Sequence, residues 1–150
     1  MTCGTCQLEI GGSEIMKQFT VRTNARSEMI DITDRIRVLL KESRIRSGIC
    51  HVYVPHTTAA VTINENADPD VPRDILMELE KIVPFNDHYR HVEGNSAAHI
   101  KASMLGASET VFIENGELVL GTWQSIFFCE FDGPRTRRVI VMLTALQAPK

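Results

Sequence analysis

The sequence predicts an α+β fold, a single-domain sandwich of a mixed, largely antiparallel sheet with helices packed on it. Stretches with alternating apolar residues, as in half-buried strands, outnumber stretches with the apolar spacing of an amphipathic helix. These strands and helices do not alternate one by one, as they would in a doubly wound fold. An Asn-Gly pair at residues 115–116, between two strand-like runs, predicts a hairpin of antiparallel strands.

Each element follows from this spacing in chain order. Residues 1–13 are predicted to be a flexible tail, and residues 14–150 to be one domain. The alternating pattern predicts strands at 14–23, 49–54, 59–64, 110–113, 118–120, 126–131 and 138–145. Helical spacing predicts helices at 30–43, 70–83 and 96–106. The residues predicted to cap these helices are Asp31 or Thr33, Asp70, and Asn95 or Ser96.

Composition excludes several classes of protein. A net charge of −3 argues against non-specific nucleic-acid binding, and acidic residues accompany the Arg-rich segments at 35–46 and 135–138. No apolar run is long enough to span a membrane. The first residues carry neither a basic leader nor an apolar signal core. We therefore expect a cytoplasmic protein that binds neither nucleic acid nor membrane.

The four cysteines also fit a reducing compartment. Cys3 and Cys6 form a lone CxxC pair, and the chain offers no second pair at the spacing of a zinc ribbon. Cys50 and Cys129 lie in apolar strand-like runs, which predicts small buried core residues. We expect all four to be reduced thiols.

Two polar segments carry the candidate chemistry of the first half of the chain. His56, Thr57 and Thr58 follow a strand that ends at a proline, where they could bind an anion or simply form a turn. Residues 64–70, NENADPD, supply three carboxylates and two amides, which suit either a magnesium ion or helix capping. Glu65 is the functional candidate here, because capping does not account for it.

A second histidine-rich segment begins the next predicted helix. His91, Glu93 and Asn95 precede it, and His99 falls in its first turns, where the positive end of the helix favours a neutral imidazole and bound anions. Lys101 and Ser103 follow and could contact phosphate. Histidine and carboxylate side chains are also metal ligands, although no specific metal motif is present. The predicted ligands are His56, Asp68, His91 and His99.

Two later features are candidates for the wall of a pocket. Trp123, the only tryptophan, lies with Gln124 between a hairpin and a strand, so its ring could stack on a planar ligand or serve as a packing anchor. Glu130 lies inside a strongly apolar strand. Unless that strand is an edge facing water, the carboxylate should be buried and either paired or shifted to a higher pKa.

Four segments resemble the YjbQ family, also described as secondary thiamine-phosphate synthases. They are HTTAAVTINENADPD (56–70), HVEGNSAAHIKASMLG (91–106), GTWQ (121–124) and EFDGPR (130–135), and the match extends over about residues 19–146. The resemblance implies an α+β sandwich domain, a homotrimer, and an active site where the first polar segments meet the second histidine segment. It also implies joining of hydroxymethylpyrimidine pyrophosphate to a thiazole phosphate, with release of pyrophosphate.

The resemblance assigns roles to individual positions. It implies catalytic or metal-binding roles for His56 and His99, and a cation- or water-orienting role for Glu65 and Asp68. A magnesium ion would clamp the pyrophosphate, with zinc or a similar metal as the alternative. Glu130 and Arg135 would close the site, and Glu65 and Glu130 join the two histidines as expected catalytic residues. The residues expected to contact substrate are Thr57, Thr58, Asn64, Glu93, Lys101, Ser103, Trp123, Gln124 and Arg135.

Three functions remain open from the sequence. The first is a transferase acting on a small phosphorylated substrate. The second is a metal-dependent hydrolase or lyase with the transferase reaction as a side activity. The third is a non-catalytic trimer that binds a small anion. Converging titratable side chains favour an enzyme, and the absence of GxxxxGK[ST] argues against a P-loop nucleotidase.

Overall fold

The computed structural model describes residues 13–146. The predicted tail and its Cys3–Cys6 pair lie almost entirely outside these residues. The strands of the described part are β1 (Glu14–Arg22), β2 (Glu28–Asp31), β3 (Gly48–Tyr53), β4 (Ala59–Glu65), β5 (Ser108–Glu114), β6 (Glu117–Leu118), β7 (Gln124–Glu130) and β8 (Thr136–Ala145). The helices are α1 (Thr33–Ser43), α2 (Asp70–Ile82) and α3 (Ser96–Leu105).

The strands form two sheets. One has five strands in the order β1-β8-β3-β5-β6, and the other has three strands in the order β2-β7-β4. Every pairing is antiparallel. The predicted α+β fold with a largely antiparallel sheet is thus confirmed, and the strands divide between two sheets.

Two apolar clusters lie on opposite faces of β7. Ile126 and Phe128 belong to the larger cluster, which fills the space between the sheets and includes Ile36 and Leu40 of α1. Phe127 and Cys129 point the other way, into a smaller cluster that includes side chains of α2 and α3. A strand buried on both faces needs a continuous apolar run rather than an alternating one, which explains the IFFC sequence.

The start of α1 differs from its sequence prediction. Residues 28–31 form the short strand β2, which pairs with β7, so the helix begins at Thr33 rather than at Ile30. Asp31 Oδ1 accepts a hydrogen bond from the backbone N–H of Thr33 at 2.8 Å. Pairing with the buried strand β7 therefore determines the structure of a segment whose apolar spacing also suits a helix.

Capping of α2 also differs in detail. Asp70 is the first residue of the helix, and its carboxylate pairs with Arg73 at 2.8 Å. Asp68 Oδ1 accepts the hydrogen bond from the backbone N–H of Asp70 at 2.9 Å. Asp68 therefore binds a backbone N–H at the start of α2, the role that was predicted for Asp70. This hydrogen bond also occupies one carboxylate oxygen of Asp68, which was predicted to be a metal ligand.

Cys50 and Cys129 are fully buried free thiols, as predicted. Burial raises the pKa of each thiol to about 12, so both stay protonated and unreactive at neutral pH. No helix within residues 13–146 is long and apolar enough to cross a membrane.

Candidate active site

An open cleft of about 460 Å³ lies between the β3–β4 connection and α3. His56 and Thr57 line one side, and His99 and Ser103 line the other. The backbone holds the two sides together: the N–H of Val54 donates to the carbonyl of Ala107 at 2.8 Å, and that of Val61 to Gly106 at 3.1 Å. Two segments far apart in sequence thus bring a histidine each to one cleft.

His56 is fixed as a neutral imidazole. Its Nε2 accepts a hydrogen bond from the backbone N–H of Arg138 at 2.9 Å, which only an unprotonated ring nitrogen can do. Burial, followed by the nearby charge of Arg137, lowers the pKa of His56. The proton of the neutral ring is therefore on Nδ1, which remains free to donate a hydrogen bond.

His99 has a second histidine beside it. The rings of His91 and His99 meet edge to face, with centroids 5.3 Å apart. Glu93 Oε2 lies 3.7 Å from His91 Nε2. The predicted second histidine segment therefore does come together, and it adds imidazole and carboxylate groups to the His99 side of the cleft.

A buried ion pair lies at the ends of β7 and β8 near His56. Arg137 donates to both carboxylate oxygens of Glu130, from Nε at 2.8 Å and from Nη2 at 2.6 Å. Arg137 Nη2 also donates to Thr58 Oγ1 at 2.7 Å, and the Thr23 hydroxyl donates to Glu130 at 3.0 Å. Such a bidentate pair is a strong and directional contact. It ties the segment that follows His56 to β7 and β8.

Glu130 behaves as a permanent anion. Burial raises the pKa of Glu130, but hydrogen bonds from Arg137 and from the backbone of Asp132, with the charge of Arg137, outweigh it and hold the pKa below its usual value. The predicted buried and paired carboxylate is confirmed, but the catalytic role expected for it has no geometric support. Both oxygens are engaged by protein donors, so Glu130 positions neighbouring groups.

Arg135 lies at the edge of the same region. Its Nη2 donates to Asp132 Oδ2 at 2.9 Å, and Asn95 Nδ2 donates to the same oxygen at 2.9 Å. Asn95 is the residue before α3. The carboxylate of Asp132 therefore links the start of α3 to the β7–β8 turn, next to the histidines of the cleft.

Three residues predicted to bind substrate are engaged elsewhere. Thr58 is buried and accepts the hydrogen bond from Arg137. Lys101 is also buried, and its ammonium pairs with Glu80 of α2, away from the lining of the cleft. Ser103 does line the cleft, but its hydroxyl donates to the carbonyl of His99 at 2.9 Å. Of the two hydroxyl residues that line the cleft, Thr57 is the one whose hydroxyl makes no hydrogen bond to a described residue.

The acidic segment after β4 lies at the opposite end of the β4–β7 pair from this cleft. Ala59 pairs with Glu130 at one end, and Glu65 pairs with Gln124 at the other. Six residue steps along a strand separate them by about 20 Å. The predicted residues placed at this far end are Asn64, Glu65, Asp68, Trp123 and Gln124. Within one chain, His56 and Thr57 meet the second histidine segment as the resemblance implied, whereas the acidic segment at 64–70 does not.

The predicted metal ligands do not form one site within the chain. His56 offers no free lone pair in this arrangement, because Nε2 accepts from Arg138 and Nδ1 carries the proton. Asp68 lies at the far end of β4, which leaves His91 and His99 as a pair. Among residues 13–146, no group of three or more His, Cys, Asp or Glu side chains is arranged to hold a metal ion.

Sequence reasoning missed Arg137, which holds the buried network. A usable signal was present: Arg137, Val139 and Val141 alternate on one face of β8, so an arginine on the apolar face required a buried partner. Glu130, inside the apolar run of the neighbouring chain segment, was the matching acid. The hydrogen bond from the Arg138 backbone N–H to His56 could not be predicted, because the side-chain pattern carries no information about it.

The fold and the cleft together define a small α+β protein of two antiparallel sheets with a histidine-lined cleft. The chain belongs to the UPF0047 YjbQ-like protein family, whose sequence model matches residues 17–146. It is 52% identical over 130 residues to the UPF0047 protein YugU of Bacillus subtilis, covering 86% of this chain and 98% of that protein. A UPF0047 protein of Methanocaldococcus jannaschii is 49% identical over 130 residues, covering 87% and 94%.

Solved structures agree with this assignment. A crystal structure of a YjbQ/UPF0047 family protein from Clostridium acetobutylicum matches with a TM-score of 0.84 at 53% identity, covering 85% of this chain and 98% of that one. A YbjQ-like protein from Sulfolobus solfataricus matches with a TM-score of 0.87 at 33% identity, covering 90% and 99%. The resemblance inferred from the sequence motifs is therefore confirmed for family and fold.

Proposed function

We propose that the His56–His99 cleft is the active site of an enzyme that acts on a small phosphorylated substrate. The observation that carries the proposal is the convergence of two histidines from separate segments, one of them held neutral by the Arg138 backbone N–H. Perturbed titratable groups at a cleft are typical of catalytic sites. Both histidines are partly exposed to solvent, so their rings are accessible from the cleft.

The reaction we propose to test first is thiamine phosphate synthesis, which the family resemblance suggests. In it the bond between the pyrimidine methylene carbon and the pyrophosphate oxygen breaks, and the thiazole nitrogen forms a new bond to that carbon. Pyrophosphate departs with the electron pair, so negative charge grows on its oxygen. We propose that Nδ1–H of His56 and the Thr57 hydroxyl, which both belong to residues lining the cleft, donate hydrogen bonds to this oxygen.

We take a transferase as the first candidate and a metal-dependent hydrolase or lyase as the second. The transferase reaction calls for hydrogen-bond donors at the leaving group, and His56 and Thr57 line the cleft. A divalent metal remains a separate proposal, resting on the His91–His99 pair with further ligands from substrate, solvent or another protomer. Elemental analysis of wild-type protein beside His91→Ala tests it.

The test of the proposed function is product formation from the two precursors, with magnesium present as the counter-ion of the pyrophosphate substrate. Loss of a positioned hydrogen-bonding or proton-transfer histidine should lower kcat/KM by about 10²–10⁴-fold in His56→Ala and in His99→Ala. His88→Ala is the matched control, because His88 is a fully exposed loop residue. Wild-type rates in both cleft variants would contradict the assignment of the cleft as the active site.

We further propose a homotrimer in a reducing cytoplasm, as the family resemblance and composition suggest. The free thiols Cys50 and Cys129 support the reducing compartment. The outward face of the five-stranded sheet supports self-association. Its exposed apolar side chains include Phe112, which lies opposite Ile49, and Tyr53, four residues further along β3; they are 64% and 42% exposed. In a trimer, the far end of β4 from one protomer could approach the cleft of the next.

A further inference from the structure

A second cavity in the described part of the chain is separate from the histidine cleft. It is a groove of about 590 Å³ between the C-terminal half of α1 and the turn that joins β5 to β6. This volume lies within the range of small-molecule sites. The groove and the cleft share no lining residue.

The groove is strongly basic in a protein whose net charge is −3. Four cationic side chains line it, against the carboxylate of Glu117 and that of Asp34, which pairs with Arg37, so the local excess is two positive charges. The four are Arg37, Lys41, Arg44 and Arg46. From the sequence, the acids near the Arg-rich segment at 35–46 were expected to offset it. The structure corrects this for the groove, since Arg37 with Asp34 is the one ion pair that any of the four forms among residues 13–146.

The backbone at Arg44 is a second and independent observation. Arg44 ends α1 in the left-handed conformation, with φ of 60°. Glycine is the usual residue at such a position, because a side chain there is strained. An arginine at this position is therefore contrary to the local preference. Strain of this kind is found where a side chain serves a function rather than the fold.

The helix end does not account for the whole set of charges. Cations near a helix C-terminus stabilise the helix dipole, and this explains Lys41 and Arg44. It does not explain Arg37, two turns earlier, or Arg46, which lies beyond the helix. The Arg46 guanidinium lies against the β5–β6 turn, 3.7 Å from where a side chain on Gly116 would begin. The fourth cation thus lies beside this turn at the groove.

We propose that this groove is a second ligand site, which binds a small organic molecule carrying two or more phosphate groups, of the nucleotide class. The cations match a phosphate chain, and arginine guanidinium groups also stack on planar rings. Val38, which is 56% exposed, adds an apolar surface beside the charges for the organic part. The groove is bounded, and the protein as a whole is acidic, which favours a small ligand over a nucleic-acid strand.

The test is calorimetric titration of the full-length protein with ATP as the probe. We expect saturable binding that adenosine does not reproduce. Arg44→Gly with Arg46→Gln should weaken it at least tenfold. Arg44→Gly places the favoured residue at the left-handed position, so the double variant should fold with an unchanged or higher Tm. Lys17→Gln with Lys81→Gln removes two charges elsewhere and should leave binding unchanged.

Several results would overturn the proposal. They are absence of saturable ATP binding, equal weakening by the Lys17/Lys81 variant, or tighter binding of a uridine oligonucleotide than of ATP. Loss of ATP binding in His56→Ala would also overturn it, because the probe would then occupy the cleft. Binding retained in His56→Ala but lost in the Arg44/Arg46 variant supports the second site, whatever the outcome of the thiamine phosphate assay.

Discussion

At the scale of single residues, His56 is defined by what its ring nitrogens do. Nε2 accepts a hydrogen bond from the backbone of β8, so the His56 side chain connects that strand to the cleft. Protonation of the ring would replace this acceptor with a donor facing another donor. The neutral form is therefore part of the folded structure as well as of the proposed chemistry.

This arrangement predicts a pH dependence of stability. The folded pKa of His56 is lowered, so the unfolded chain binds the proton more readily, and stability should fall as pH drops below the ordinary value of 6.5. His56→Ala should cost about 1 kcal/mol at pH 7.5, the value of one hydrogen bond, and less at acid pH. Urea unfolding of both proteins at pH 7.5 and 5.5 measures the difference. An equal difference at both pH values would contradict the assignment of the ring state.

The Glu130–Arg137 pair predicts a larger effect. Glu130→Gln leaves a buried guanidinium without its counter-charge and should reduce the free energy of unfolding by about 3–5 kcal/mol. The pKa of Glu130 is lowered, so its contribution is present above the ordinary value of 4.5 and is lost as pH falls through the folded pKa. Denaturation of wild type and variant at pH 7 and at lower pH should show the gap closing below pH 4.5.

A double variant distinguishes the loss of the ion pair from the cost of leaving one buried charge unpaired. Glu130→Leu with Arg137→Met removes both charges and should cost less than the sum of the two single variants, because neither charge is left alone. Strictly additive costs would mean that the two side chains stabilise the fold independently, contrary to the bidentate geometry.

At the scale of elements, the β7–β8 connection holds the site in register. Gly133 lies against the loop that follows β1, where an added Cβ would come within 2.2 Å of the Ala25 carbonyl oxygen and 2.8 Å of Thr23 Oγ1. Thr23 also exchanges hydrogen bonds with the backbone of Arg135. The turn therefore has no room for a side chain, although the sequence DGPR by itself indicates only a turn.

Gly133→Ala should consequently destabilise the protein by about 3 kcal/mol, at the upper end of overpacking effects, because the obstacle is backbone. Gly121→Ala is the matched control. There an added Cβ would meet only the side chain of Gln124, at 3.2 Å, which can move. Thermal unfolding of the two variants compares them, and equal Tm values would show that the β7–β8 turn can shift.

At the scale of the whole molecule, the outward apolar face of the five-stranded sheet is where we expect protomers to meet. Phe112→Glu should convert a trimer to monomers, because a charge at a buried interface is costly. Ile82→Glu, which is on exposed α2 surface, should leave the mass unchanged. Light scattering measures the molecular mass of both variants in solution. A trimer that survives Phe112→Glu would place the interface on another face.

Much of this molecule could be predicted from its sequence because its signals are local. Alternation identified seven of the eight strands, and helical spacing identified all three helices of the described part. β2 was missed because four residues carry too little pattern to outweigh a neighbouring helix. The grouping of His56 with His99 followed from the motif resemblance. The burial of Lys101 against Glu80 and of Thr58 against Arg137 could not be predicted, because no local pattern specifies these side-chain partners.

We propose that the cleft between the β3–β4 connection and α3 receives the phosphate of the substrate. Titration of the histidine ring resonances by NMR with pyrophosphate is the first measurement to make, because each imidazole reports its own surroundings. We expect saturable shifts of the His56 and His99 rings, with the His88 and His51 rings unchanged. Shifts confined to histidines outside the cleft, or absent from all of them at millimolar pyrophosphate, would contradict it.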